Sequence, residues 1–379
     1  MAAGIIPAFT SFAARYNVSL TEASYLVSVQ ILLLGVTPIF WNVITERYGR
    51  RHVLIFSVLG SMICNIGGAL CTTYAGQMAT RALTAAIISP PIGIGSGVVT
   101  ELCSPDQRAR KLGWWVLMTI LGTPGGPLTM GFVVQHAGVQ WIFWTFAIMN
   151  FLQAVAYVPF NEEERCGGQQ DNYDPKDSSL GKIVKSLLPK RNDGRPIQIM
   201  DFLSPFSLIC EPRILVAALA TAITFCYGNI VFVVEMPISF GEKFGLDSQS
   251  TGLQFISVII GCLIGEQLSG PTSDYFMKTL EKRRGHVRPA DRLWLTYIGF
   301  LTIIAGLLVW GFQLQRATTW NITPCVGVAI ASFGNQIQST ILTAYAIDSN
   351  KDKSAAIGVF FNAIRLLYGF VRIPIFLLL

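Results

Sequence analysis

Charge is what this sequence has least of. Only 13% of its 379 residues are Asp, Glu, Lys or Arg, about half the share of an ordinary soluble chain. What remains outside the apolar runs is too short for a soluble catalytic domain, so an enzyme is not expected. Histidine is scarce too. His52, His136 and His286 are scattered, with no metal-ligand spacing, and neither a metal nor another cofactor is expected. The eight cysteines (64, 71, 103, 166, 210, 226, 262 and 325) include no Cys-x-x-Cys pair. Most fall inside apolar runs and read as small buried hydrophobes. Gly93-Ile-Gly95-Ser-Gly97 lacks the third glycine and the lysine of a nucleotide-binding loop and lies within an apolar run, which excludes that reading. The net charge of +6 does not imply nucleic acid, because the basic residues lie between apolar runs rather than on one face.

What the sequence has in excess is apolar surface. Of its residues 52% are hydrophobic, with 24 Phe, 8 Trp and 35 Gly, a balance that fits an all-α membrane protein in which glycine lets helices approach closely. A spanning helix needs ~20 mostly apolar residues. Such runs lie at about 20–44, 53–73, 76–100, 112–134, 139–160, 212–234, 251–273, 292–314, 321–347 and 354–379. Ser19-Leu-Thr-Glu22 has capping-box spacing and opens the first of them. Residues 1–14 are apolar but too short to span, and read as the outer half of a helix whose beginning is missing. Ten full helices plus a short first one are therefore expected.

The loops fix orientation. One side carries 22 Lys/Arg against 3 on the other, which places the rich side in the cytosol. Residues 161–211 are the one long polar stretch. They read as a cytosolic tether between a half at 1–160 and a half at 212–379, with an amphipathic piece at 183–188 lying on the membrane surface.

Trp41-Asn-Val-Ile-Thr-Glu-Arg-Tyr-Gly-Arg-Arg-His52 separates two of these runs. Gly49 reverses the chain. Glu46, at the last turn of a helix, opposes the macrodipole unless Arg47, Arg50, Arg51 or a neighbouring helix compensates it. Gly270-Pro-Thr-Ser-Asp274 followed by a basic turn repeats this pattern in the second half. The stretch resembles the signature loop of the major facilitator superfamily, Gly-x-x-x-Asp-Arg-x-Gly-Arg-Arg/Lys. Arg47, Gly49, Arg50 and Arg51 match, Glu46 stands for the Asp, and Asn42 stands where the family has Gly. A plain basic anchor loop is the other reading.

Gly122-Thr-Pro-Gly-Gly126-Pro127-Leu-Thr-Met-Gly131 would break a soluble helix, and in lipid reads as a kinked helix with a flat face. It resembles the Gly-x-x-x-Gly-Pro-x-x-Gly-Gly motif of the drug:proton antiporter branch, with Met130 replacing one Gly. Generic tight packing is the alternative. Arg81 in span four resembles the branch's Arg-x-x-x-Gly, with Ala85 for the Gly. That implies a cavity-facing, proton-coupling role, against an arginine snorkelling to the surface.

Glu266 and Arg365 are further ions inside spans, and a pair between them would neutralise both. Asn229, Glu235, Asn335 and Gln336, with Phe225, Tyr227 and Phe333 as aromatic walls, are candidates for substrate contact, since the resemblance assigns spans seven and ten to the cavity. Polar groups satisfied between helices are the alternative for each.

The resemblance implies a major facilitator fold of two six-helix halves, here truncated to about eleven spans. It implies a monomeric transporter of fungal multidrug or polyamine exporter type, acting by alternating access and coupled to protons. The substrate would be a small organic compound, cationic ones included, and the site the plasma membrane or the vacuolar membrane. Nutrient uptake or facilitated diffusion, and a non-transporting sensor on the same fold, are the other readings. The truncated chain alone is not expected to transport.

Overall fold

A computed structural model of the chain describes residues 3–102, 105–160, 204–285, 288–350 and 353–376. A 3₁₀ turn, Ala3–Ala8, leads into α1, Phe9–Tyr16. Helix α2, Leu20–Tyr48, opens on the capping box read from the sequence: Ser19 Oγ accepts the Glu22 N–H at 3.2 Å, and Glu22 Oε2 accepts the Ser19 N–H at 2.8 Å. Gly49 is the only residue between α2 and α3, Arg50–Leu70. Its φ of 85° is one that a side chain would strain, so the hairpin needs glycine here.

The fourth span is broken. Pro90, which has no N–H to give, ends α4 (Tyr74–Ile88) and starts α5 (Pro90–Leu102). Helices α6, Pro105–Ala137, and α7, Gln140–Phe160, follow.

The tether's amphipathic piece at 183–188 lies outside the described residues, but its last residues differ from a plain coil. Ser204–Cys210 forms a 3₁₀ helix with Leu208 buried. Span seven comprises α8, Pro212–Phe225, a π-helical turn, Cys226–Ile230, and α9, Val231–Phe244. Helices α10, Ser248–Gln254, and α11, Ile256–Arg284, form span eight. The basic turn expected after Asp274 is instead helical. Lys282, Arg283 and Arg284 occupy the last turn of α11, where cations suit the dipole, and Gly285 ends it at φ 73°. A 3₁₀ turn, Pro289–Leu295, then α12, Thr296–Arg316, α13, Thr323–Ser349, and α14, Ser354–Phe376, complete the fold.

Six helical stretches among the described residues are long and apolar enough to cross a membrane. Helix α12 shows the lipid-facing pattern: Tyr297, Leu301, Ile304, Leu308 and Phe312 are exposed on one stripe, while Gly299, Ile303 and Gly306 pack against α13. Helix α13 is the opposite case. Every residue from Gly334 to Ile347 is buried, so its amides belong to the interior.

Helices before residue 160 meet those after 204 along two antiparallel seams. On one, Gly35 of α2 sits against Leu366 of α14, and Ile39 clusters with Val359 and Ala363. On the other, Gly131 and Gly113 of α6 meet Gly252 of α10 and Glu266 of α11.

Candidate functional site

Between these seams lies a small cavity, part of it open to solvent. Its walls come from α6 (Trp115, Thr119), α8 (Thr221), α13 (Ser339, Thr343) and α14 (Asn362, Arg365). All of these positions lie toward the helix ends that carry the Lys/Arg-rich loops. Arg365, eleven residues into α14, is about 16 Å from the start of that helix. The cavity therefore reaches from mid-helix depth toward the basic side.

Arg365 is the cavity's charge. Its guanidinium lies 4.4 Å from the centroid of the Phe225 ring, and Nη2 donates to Asn362 Oδ1 at 2.8 Å. Asn362 is one turn earlier on the same helix, so the two side chains share a face. Three buried donors around the cavity have no partner among the described residues: Arg365 Nε, Asn362 Nδ2 and Ser339 Oγ. Among the described residues no Asp or Glu lines it.

Glu266 lies elsewhere, and the pairing with Arg365 expected from the sequence is not made. Glu266 Oε2 accepts from Gln336 Nε2 at 2.8 Å and from Thr340 Oγ1 at 2.7 Å, both on α13. Its other oxygen, Oε1, is pressed against Gly113 of α6, where a β-carbon would collide with it. A carboxylate thus sits on the seam, and a side chain in place of Gly113 would have to displace it. Gln336 is engaged as its donor.

At the far end of the same seam the outer side is closed. Ser248 Oγ donates to the Pro7 carbonyl at 3.1 Å, and a β-carbon on Gly252 would come within 3.4 Å of Gly131 Cα. Gly126 packs at similar closeness on Gly4. The flat face read in the span-five glycines is in use, against the 3₁₀ turn and α10. Gly122 has open space around it, and Pro127 contributes its carbonyl to the Gly252 contact.

Of the other candidates, Arg81 is buried, its guanidinium 5.9 Å from the Phe143 ring centroid, and does not line the Arg365 cavity. It does not snorkel. Asn229, in the π turn, and Asn335, on α13, are buried with neither amide atom bonded to protein. They belong to contacting segments: Gly228, beside Asn229, lies against the Asn335 side chain, and its carbonyl accepts from Ser332. Tyr227, Glu235 and Phe333 are half-buried and none lines the cavity. The side chains of Glu46 and Arg47 lie outside the described residues, so their part in a latch is not placed.

Asp274 has a partner that the sequence did not indicate. Arg292, in the turn before α12, reaches Asp274 at 3.6 Å and Asp348 at the end of α13 at 3.3 Å, and donates to Ser273 Oγ. Three C-terminal helices are thereby tied at their basic-side ends. Sequence reasoning also missed Asn362, whose signal was its position three residues before an intramembrane arginine.

Helices long and apolar enough to cross a membrane, paired along two seams beside a polar cavity, define a polytopic membrane fold. The sequence profile of the Major Facilitator Superfamily matches residues 1–371, and the chain belongs to that family. A probable efflux pump, mfs2, of Aspergillus flavus is 26% identical over 98% of this chain and 88% of its own length. Citrate exporter 1 of Aspergillus niger is 25% identical over 96% of this chain and 74% of its own. The xylose transporter XylE from E. coli, in a partially occluded inward-open conformation, superposes with a TM-score of 0.65 over 99% of this chain and 86% of that one. At 13% identity that likeness speaks of the fold alone.

Proposed function

We propose that the chain is a secondary active transporter that exports small organic compounds by alternating access, with protons moving the other way. The observation that carries this reading is the cavity itself, which reaches the basic side while the outer ends of α6 and α10 are packed shut. Two halves, 1–160 and 212–379, would rock about the seams α2–α14 and α6–α10/α11. The seams support the division: numbered within each half, both join a second span to a fifth. Export is favoured by the efflux and exporter names of relatives and by the use of Gly126 and Gly131 as close-packed contacts. Glu266, the carboxylate on a seam, is the group assigned to proton coupling. The plasma membrane is the proposed location.

The test is flux in liposomes holding the purified product of the complete gene, with a panel of organic acids, amines and sugars inside and an imposed pH gradient. Efflux that rises with outside acidification supports proton-coupled export. Equal fluxes with and without the gradient would remove the coupling, and no flux of any compound would remove the transport reading.

A further inference from the structure

We infer, building on the transport reading, that the Arg365 cavity binds the carboxylate of a monocarboxylic acid with an apolar body, rather than a cation. The charge in the cavity is a guanidinium, and no acid lines it. A cationic solute would meet a like charge beside an apolar wall that weakens solvent screening of the repulsion. A carboxylate meets the opposite.

The donors match in number and kind. Phe225 covers the face of the guanidinium and Asn362 takes one of its N–H groups, so the planar fork is held in place while Nε remains unbonded. Asn362 Nδ2 and Ser339 Oγ, both buried and unbonded, border the same space. A carboxylate is a planar acceptor pair that such a fork recognises through parallel hydrogen bonds. One guanidinium offsets one negative charge. A phosphate or a tricarboxylate would bring charge that no lining group offsets, and desolvating it would oppose binding. Trp115, Val116 and Phe361 give the remainder of the wall an apolar character suited to an aromatic or branched body.

The probe is radiolabelled benzoate, bound at equilibrium to the purified chain, with unlabelled competitors. Benzoate and hexanoate are expected to compete, while methyl benzoate, benzamide, benzylamine and inorganic phosphate compete about tenfold more weakly or not at all. Arg365→Gln should weaken benzoate binding by about tenfold or more, with Arg365→Lys intermediate because the charge stays but the fork is lost. Asn362→Asp places a carboxylate where the Asn362 oxygen already accepts from the guanidinium. It should abolish benzoate binding while the chain elutes and melts as before. Benzylamine or phosphate binding as tightly as benzoate, undiminished binding by Asn362→Asp, or no binding of either acid would overturn the assignment. If the acids fail while liposomes export another compound, the carboxylate assignment falls and the transport reading stands.

Discussion

The charged groups Glu266 and Arg292 have partners that set their behaviour. Glu266 is held by two neutral donors, so Glu266→Gln preserves shape and loses only the charge. Flux driven by a pH gradient is expected to fall to its level without one, because the amide takes up no proton. Solute exchange without a gradient should persist in the same liposomes. Wild-type gradient dependence in this variant would remove Glu266 from the coupling. Arg292 gives a different kind of prediction. Replacing it by Ala leaves Asp274 and Asp348 facing one another without their shared cation, whereas Asp348→Asn removes only one of its two partners. The carboxylates are about a third exposed, so solvent screens the effect. About 1 kcal/mol is expected for Arg292→Ala and less for Asp348→Asn, by thermal unfolding in detergent. At this scale the sequence revealed which groups are costly, because an Arg or Glu in an apolar run stands out. It did not reveal who satisfies them. Arg365 and Glu266 looked like natural partners by charge, yet each is answered by amides, hydroxyls or a ring on its own or a neighbouring helix, and such residues are too common to be singled out.

At the scale of the helices, the local rules were legible and the interruptions were not. Ser19 and Glu22 form the capping box their spacing implied, and Gly49 makes the turn assigned to it. The break at Pro90 was passed over because the apolar run continues through it. Phe255, between α10 and α11, carries no such marker at all. Asp247 caps α10, its side chain accepting from the Ser250 N–H at 3.0 Å. Hydrogen bonds from Ser250, side chain first and then backbone, hold the Asp247 carboxyl below its usual value of 3.8. The cap is therefore fully formed above that value and lost as pH falls through the lowered pKa. Asp247→Ala should cost about 1 kcal/mol at neutral pH and progressively less in acid. An unfolding difference independent of pH would show that the cap acts through something other than its charge.

For the whole molecule, the sequence indicated an all-helical fold built from apolar runs, since that follows from counting. The seams were out of reach. Glycine is frequent throughout the chain, and only the fold selects Gly131 and Gly252 as partners. Their closeness allows a direct test of the seam. A β-carbon on Gly131 would come within 2.6 Å of the Ser248 carbonyl, so Gly131→Val should force α6 and α10 apart on the outer side. Flux is expected to fall severalfold, while Gly122→Val, with open space around it, should transport as before. Equal flux by the two variants would mean that this contact takes no part in the cycle.

Span seven crosses the molecule beside α13 with a π turn, Cys226–Ile230, set between two regular helical stretches. Each residue turns a helix by about 100° and advances it by about 1.5 Å. One surplus residue in such a turn therefore puts α8 and α9 out of phase, so a stripe counted from Pro212 no longer marks the same side beyond Ile230. Asn229 stands where that count slips, beside the part of α13 that holds Asn335.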